Sequence, residues 1–288
     1  MSALLSILFD GIAYAMLLFI ISVGLSITMG LMGFVNLAHG AFAMAGGYVT
    51  VSLMNSAGWP FVLALLGAFI VVAAGSVVLE RLLYAPLYRA TELDQTLLSI
   101  GLVFMAAAIM TFIYGPNPPS ITIPEWLRGQ VDIGIRSVPA YRLFTIGCGV
   151  TFVTALWLLF EKTLIGARIR AAVDNRKMAE SVGINVDRLF MVTFALGSGM
   201  AALGGGLAIE IIGINPAFAI TYLVFFLIVV AVGGLGSLKG AFVAALLLGI
   251  VDTAGKYLWP QSGAFIVYVV TLAVLLVKPF GLFGRPPQ

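Results

Sequence analysis

Nine apolar runs follow one another along the chain, at residues 3 to 29, 34 to 54, 60 to 80, 95 to 115, 141 to 161, 188 to 212, 219 to 233, 238 to 258 and 263 to 280. A helix that crosses lipid needs about 20 apolar residues. The pattern therefore predicts an all-α, polytopic transmembrane bundle of about 8–9 spans. The run 34 to 54 is the least regular. It carries Asn36 and His39 and is punctuated by Gly33, Gly40, Gly46 and Gly47, which predicts an interrupted or partly re-entrant helix whose free backbone groups are buried in protein. No succession of segments near ten residues alternates polar and apolar positions, so the dyad pattern of a membrane β-barrel is missing.

Composition agrees with this reading. Of 288 residues, 61% are apolar and 9% charged, against roughly 25% charged in a soluble domain. The mean hydropathy of +1.13 leaves the excess apolar side chains nowhere to go but lipid. Residues 1–288 read as a single transmembrane domain, with the first run kept as a span rather than removed as a signal peptide. The net charge of +3 is small and spread out, which argues against a nucleic-acid partner. The lone Cys148 lies in an apolar run and reads as a small buried side chain.

Charge also predicts sidedness. If all nine runs cross with the segment after Phe160 inside, the cytoplasmic loops hold Arg81, Arg89, Lys162, Arg168, Arg170, Arg176, Lys177, Arg188, Lys239, Lys278 and Arg285, eleven basic residues in all. The outer side then holds four, Arg128, Arg136, Arg142 and Lys256, the asymmetry expected of a membrane protein. The N-terminus is then outside and the C-terminus inside; a returning 34 to 54 would move the N-terminus alone. Two connections are long. The outer loop 115–140 contains Pro116, Pro118, Pro119, Pro124 and Pro139, which forbid a continuous helix and suggest a compact lid or docking surface.

The inner connection, 162–188, carries six of the fifteen basic residues. Ile165, Ile169, Ala172, Val173 and Ala179 fall at helical spacing on one side, charged residues cover the rest, and Gly183 is placed to end the helix. Such a segment suits a solvated loop, a groove in a partner protein, or the lipid headgroups. The small side chains at Ala172 and Ala179 would let it seat closely in a partner's groove.

Catalytic chemistry is missing. The nearest string to a phosphate loop, GGLGSLKG at 233 to 240, lacks the Ser or Thr after its Lys. One His and one Cys preclude a His/Cys metal cluster, and a hydrolytic triad could use only His39. The chain reads as no enzyme, with no cofactor and no metal. Asp10 and Glu210 lie within apolar runs, too few carboxylates for a proton relay, and Asp252 and Lys256 are spaced to pair on one helix face. Gly197, Ala201 and Gly205, Ser198, Ala202 and Gly206, and Ala241, Ala245 and Gly249 each recur every four residues, the spacing of helix packing seams. Asn36 and His39, at i and i+3, either satisfy bundle partners or line a pathway. With Gly40 they are the candidate pathway residues. His39-Gly40-Ala41-Phe42 and Lys239-Gly240-Ala241-Phe242 share Gly-Ala-Phe, an echo too short to separate a repeat from chance.

The run GLSITMGLMGFVNLAHGAFAMAGGYV resembles the N-terminal signature of the permease subunits of branched-chain amino acid ABC importers. TLIGARIRAAVDNRKMAESVGINVDRLFMVTFALGSGMAALGGGL is similar to that family's cytoplasmic loop and following span, and GGLGSLKGAF and KPFGLFG to its C-terminal markers. The likeness covers nearly the whole chain and is strongest to the first, shorter permease of such systems. Lys239 stands where the family often has Pro, and Gly47 where it often has Ala. The resemblance implies an ATP-driven importer subunit in the inner membrane of a prokaryote. Its implied partners are a second homologous permease, two cytoplasmic ATP-binding subunits and an extracytoplasmic solute-binding protein. It also makes the inner segment a coupling helix, with Gly166, Arg168, Ala171, Asn175, Ala179 and Gly183 matching family positions. Members also carry urea, short amides and other amino acids. The competing reading is a stand-alone secondary transporter or channel for a small polar solute.

Overall fold

The structure, a computed structural model, describes residues 2–32, 35–88, 90–132, 134 and 137–284, and the side chains of all of these but Ser2, Ala3 and Met32. Gly33, Arg89, Arg136 and Arg285 lie outside the described residues. Each apolar run forms a helix. In chain order these are α1 Ser2–Met32, α2 His39–Asn55, α3 Phe61–Leu79, α4 Glu92–Tyr114, the short α5 Glu125–Arg128, α6 Ala140–Lys162, α7 Leu164–Asp174, α8 Arg176–Ser181, α9 Val186–Ile211, α10 Phe218–Gly233, α11 Leu238–Leu258 and α12 Gly263–Val277. Among the described residues, six helices are long and apolar enough to cross a membrane: α1, α3 with its extension to Leu87, α4, α6, α9 and α11. The apolar α10 and α12 are shorter.

Burial ranks the helices. In their most apolar windows α9 is 78% and α1 61% buried, whereas α4 and α6 are 11% and 17% buried. α1 and α9 are therefore the core, and α4 and α6 turn residues such as Phe104, Phe112 and Val150 outward, as helices facing lipid do. The small-residue seams explain how the core closes. Gly197 approaches Gly24 of α1 backbone to backbone, and a Cβ at Gly249 would stand 2.6 Å from that of Ala15. Backbones this close gain dispersion contact that larger side chains would prevent.

The expected interruption within 34 to 54 falls at its start. Val35 to Ala38 are non-helical, and α2 then runs unbroken to Asn55. Its glycines are contact points, not breaks: a Cβ on Gly46 would overlap Ala202 of α9. The broken helix is α3, which continues through a π turn, Glu80–Tyr84, and a 3₁₀ turn, Ala85–Leu87. The proline-rich loop folds into extended chain, α5 and a two-stranded hairpin, Gln130–Asp132 with Ser137–Pro139. Leu127 seats it on the bundle, and Trp126 meets Phe144 of α6 edge to face.

An internal repeat organises the whole. α1 packs on α11 as α9 packs on α3, α2 on α9 as α10 on α1, and α2 on α3 as α10 on α11. Ile21 and Gly24 of α1 meet Gly204 and Gly197 of α9 in reverse order, so these two helices are antiparallel. The set α1–α2–α3 thus recurs, inverted, as α9–α10–α11. The Gly-Ala-Phe echo paired α2 with α11; the packing pairs α2 with α10.

Candidate functional site

Asn36 sits in the turn that starts α2. Its Oδ1 accepts from the Ala38 N–H at 3.1 Å and its backbone carbonyl accepts from the His39 N–H at 3.3 Å, an Asx turn that begins the helix without a separate cap. The expected shared helical face of Asn36 and His39 is therefore absent, because Asn36 precedes the helix. Each has its own partner. Tyr84 Oη donates to Asn36 Oδ1 at 2.9 Å, and His39 Nε2 lies 2.8 Å from the Ile21 carbonyl. A carbonyl can only accept, so that nitrogen carries the proton. Both side chains are 1% exposed, which removes them from any open surface in this conformation. The Asn36 Nδ2 has no acceptor, an unmet donor that calls for a ligand or water.

Sequence reasoning missed the counterpart of this turn. Asn215 Oδ1 accepts from the Ala217 N–H at 2.9 Å and its carbonyl accepts from the Phe218 N–H at 3.0 Å, starting α10 as Asn36 starts α2. Four residues after each Asn, the two starts touch: a Cβ on Gly40 would stand 2.8 Å from the Ala219 carbonyl. The signal was present as Asn-x-Ala in VNLAHG and INPAFA.

Tyr84 also belongs to the π turn, a distortion frequent at functional sites, and its ring lies 5.0 Å from that of Phe194. At the other end of the turn, buried Glu80 accepts from Tyr88 Oη at 2.5 Å. Burial, then the Glu80 carboxylate, push the Tyr88 phenol above its ordinary range and keep it a donor. The Tyr88 ring meets Phe190, over which Arg176 of α8 lies at 4.9 Å. Arg176 in turn bonds Glu180 at 2.9 Å and Asp187 at 3.1 Å. The π turn thus stands between Asn36, bonded to Tyr84 at one end, and the charged segment, reached through Glu80 and Tyr88 at the other. Replacing Tyr84 by Phe should remove one donor from Asn36 and cost about 1 kcal/mol, read as a drop of about 2 °C in the unfolding midpoint in detergent; an unchanged midpoint would discount the bond.

The charged segment is two helices rather than one. Asn175 closes α7 through its N–H to the Ala171 carbonyl and caps α8 through its side chain, which accepts from the Met178 N–H at 3.0 Å. Gly183, at φ +84°, ends α8 as a left-handed C′ residue, with Ile184 N–H bonding the Ala179 carbonyl. Burial reverses one expectation. Gly166, Ala172 and Ala179 face the protein's own bundle; Ala172 is 4% and Ala179 2% exposed, so neither is open to a partner's groove. A Cβ on Gly166 would overlap the Phe160 carbonyl. Arg168, Ala171, Asn175 and Gly183 face outward, joined by exposed Leu164, Met178 and Val182. The inner face of α7 rests beside Ile27 of α1, the Leu235–Ser237 turn and Phe283. The segment after α12 closes the end of α10, just before that turn: Leu282 N–H donates to the Val232 carbonyl and Phe283 N–H to that of Gly233.

Among the described residues no cluster could hold a metal ion. Glu210 is exposed and Asp10 pairs with Arg142, so neither stands as a lone carboxylate in the bundle.

Comparison with known proteins completes the picture. Residues 7–277 match the family model described as branched-chain amino acid transport system / permease component. The chain is 28% identical to the high-affinity branched-chain amino acid transport system permease protein LivH of Escherichia coli, over 97% of this chain and 95% of that protein. It is 30% identical to the corresponding protein BraD of Pseudomonas aeruginosa, over 93% and 91%. A tyrosine transport system permease protein of Clostridioides difficile is 24% identical over 75% of this chain and 67% of its own.

Proposed function

The chain belongs to the family of branched-chain amino acid transport system permease components, and on that premise we propose that it forms half of the translocation pathway of an ATP-driven importer of branched-chain amino acids in a prokaryotic inner membrane. It is a transport subunit and not an enzyme. The other half is a second, homologous permease. Two cytoplasmic ATPases drive the pair, and an extracytoplasmic binding protein delivers the solute.

The observation that carries this reading is the surface of α7–α8. Leu164, Met178 and Val182 are 76%, 62% and 69% exposed among the charged side chains of this segment. Apolar side chains held outside the bundle, beside polar ones, suit a protein interface. The ATPase subunits supply that interface, and its contact surface is Leu164, Arg168, Ala171, Asn175, Met178, Val182 and Gly183. Movement there passes along two routes: through α7 onto α1 and the 235–237 turn, and through Arg176, Tyr88 and Glu80 to Tyr84 and Asn36. Asn36, His39 and Gly40, with Asn215, then form the moving contact between the two inverted halves, where solute passes.

Sidedness follows from charge. Among the described residues, nine basic side chains lie in elements at the α7 end (Arg81, Lys162, Arg168, Arg170, Arg176, Lys177, Arg188, Lys239 and Lys278) and three lie at the other (Arg128, Arg142 and Lys256). The α7 end is cytoplasmic, with nine crossings and an external N-terminus.

Two measurements test the reading. Reporter fusions after Arg176 and after Gly284 should both read inside, and one external signal would overturn the sidedness. Proteoliposomes holding both permeases, the ATPases and the binding protein should take up L-leucine only with ATP, and uptake driven by an ion gradient alone would make the chain a secondary transporter instead.

A further inference from the structure

At the end of the bundle remote from α7, a cavity of about 330 Å³ opens between α1, α6, α9, α10 and α11. That is the lower range for small-molecule sites. Its position follows from α1: Asp10 lines it, while Ile27, about 25 Å further along the helix at 1.5 Å per residue, lies beside α7. Four charged side chains converge on it. Asp10 of α1 pairs with Arg142 of α6, and Asp252 of α11 pairs with Lys256 one turn on, at 2.6 Å. Ile211 and Ile212 supply an apolar wall.

Two features separate this cluster from ordinary surface ion pairs. Asp252 is 2% exposed, and its second oxygen, Oδ1, has no hydrogen-bond partner. A buried carboxylate oxygen without a donor is costly, and charged side chains set into apolar helices are costlier still. The Lys256 ammonium that covers the other oxygen is half exposed, so it can swing away at little cost.

The charges also sum to zero, two acids against two bases. A ligand with net charge would leave one charge uncompensated beside the buried Asp252. A zwitterion would not. Its ammonium group brings three donors, enough to reach Asp252 Oδ1 and Asp10, and its carboxylate matches the fork of the Arg142 guanidinium. We propose that this cavity binds the ammonium and carboxylate head of a free amino acid whose uncharged, apolar side chain lies against Ile211 and Ile212. The inference rests on the importer reading above, and adds to it a reception site within this chain.

The test is equilibrium binding of tritiated L-leucine to the full chain in detergent or nanodiscs, without the binding protein. Saturable binding should be displaced by L-leucine and L-isoleucine. L-Leucinamide, which lacks the carboxylate, and 4-methylpentanoate, which lacks the amine, should each compete at least tenfold less well. L-Lysine and L-glutamate should compete as poorly. This series needs no variant, so a folding defect cannot obscure it. Asp252→Asn, which preserves shape, and Arg142→Gln should each weaken binding at least tenfold, while Arg142→Lys should keep part of it. Absence of saturable binding, equal competition by the half-analogues, or parent-like binding by folded Asp252→Asn and Arg142→Gln would each overturn the site. So would variants that lose only docking of the binding protein, since the cluster would then be a protein contact. ATP-driven uptake separates the two readings. Parent-like uptake by Asp252→Asn combined with Arg142→Gln removes the site and leaves the importer standing, whereas a parent complex without ATP-driven uptake removes the importer.

Discussion

Replacing Gly205 by Leu should abolish the folded protein. Gly205 of α9 faces Ala43 of α2, and a Cβ there would overlap the Ala43 carbonyl oxygen. The obstacle is backbone, so no rotamer change relieves it. α2 and α9 would have to separate, and with them the contacts of Gly46 on Ala202 and of Gly206 on Thr50 that follow the same seam. Overpacking of a closed core costs about 1 to 3 kcal/mol and more where backbone must move. We expect a loss of about 3 kcal/mol or more for Gly205→Leu, and a smaller loss in the same direction for Gly205→Ala. The control is Gly101 of α4, where no atom stands within 4 Å of a new Cβ. Gly101→Ala should leave stability unchanged or raise it slightly, since Ala is the better helix former by about 1 kcal/mol. Gel filtration and thermal unfolding in detergent read both. A monodisperse, parent-like Gly205→Leu protein would mean that α2 and α9 do not pack as described.

The second large effect is on coupling, and it should appear without a folding defect. Met178→Glu combined with Val182→Glu changes two exposed side chains that make no part of the core, so the permease should fold normally. The partner would lose two apolar contacts, each worth about 1.5 to 3 kcal/mol when fully buried. A loss of about 3 kcal/mol weakens docking roughly a hundredfold. ATPase subunits should then fail to copurify, and ATP-driven uptake should fall by at least tenfold. Ala172→Trp should behave in the opposite manner, because Ala172 faces inward: it should destabilise the permease before any partner is added. Parent-like assembly and transport by the double Glu variant would return α7–α8 to the status of a solvated loop.

These contrasts mark how far the chain alone could be read. The helices were legible because lipid leaves a backbone no choice: each long apolar run must satisfy its own N–H and C=O groups, and a helix does so locally. The seam residues at four-residue spacing were legible for the same reason, since a helix brings i and i+4 onto one face whatever it packs against. Gly183 ended its helix as expected because a left-handed terminus is a local demand.

Questions of facing were not local. The small apolar stripe of Ala172 and Ala179 would suit a partner's groove or the protein's own bundle equally well, and only the packing of α7 on α1, α6 and α9 and of α8 on α9 turned it inward. Asn36 and His39 share a face only if the helix already includes Asn36; the Asx turn starts it three residues later and sends the two side chains to Tyr84 and Ile21. Pairing of α2 with α10 required the packed repeat, because three shared letters cannot outweigh the geometry of two antiparallel core helices. Asp10, Arg142, Asp252 and Lys256 stand as far as 246 positions apart in sequence and meet only where α1, α6 and α11 converge. What the sequence determined by itself was therefore what each segment must do to survive in lipid. Which polar groups share a cavity was decided by tertiary packing, because that depends on helix neighbours and on rotation about each axis, and hydrophobicity along one strand of sequence specifies neither.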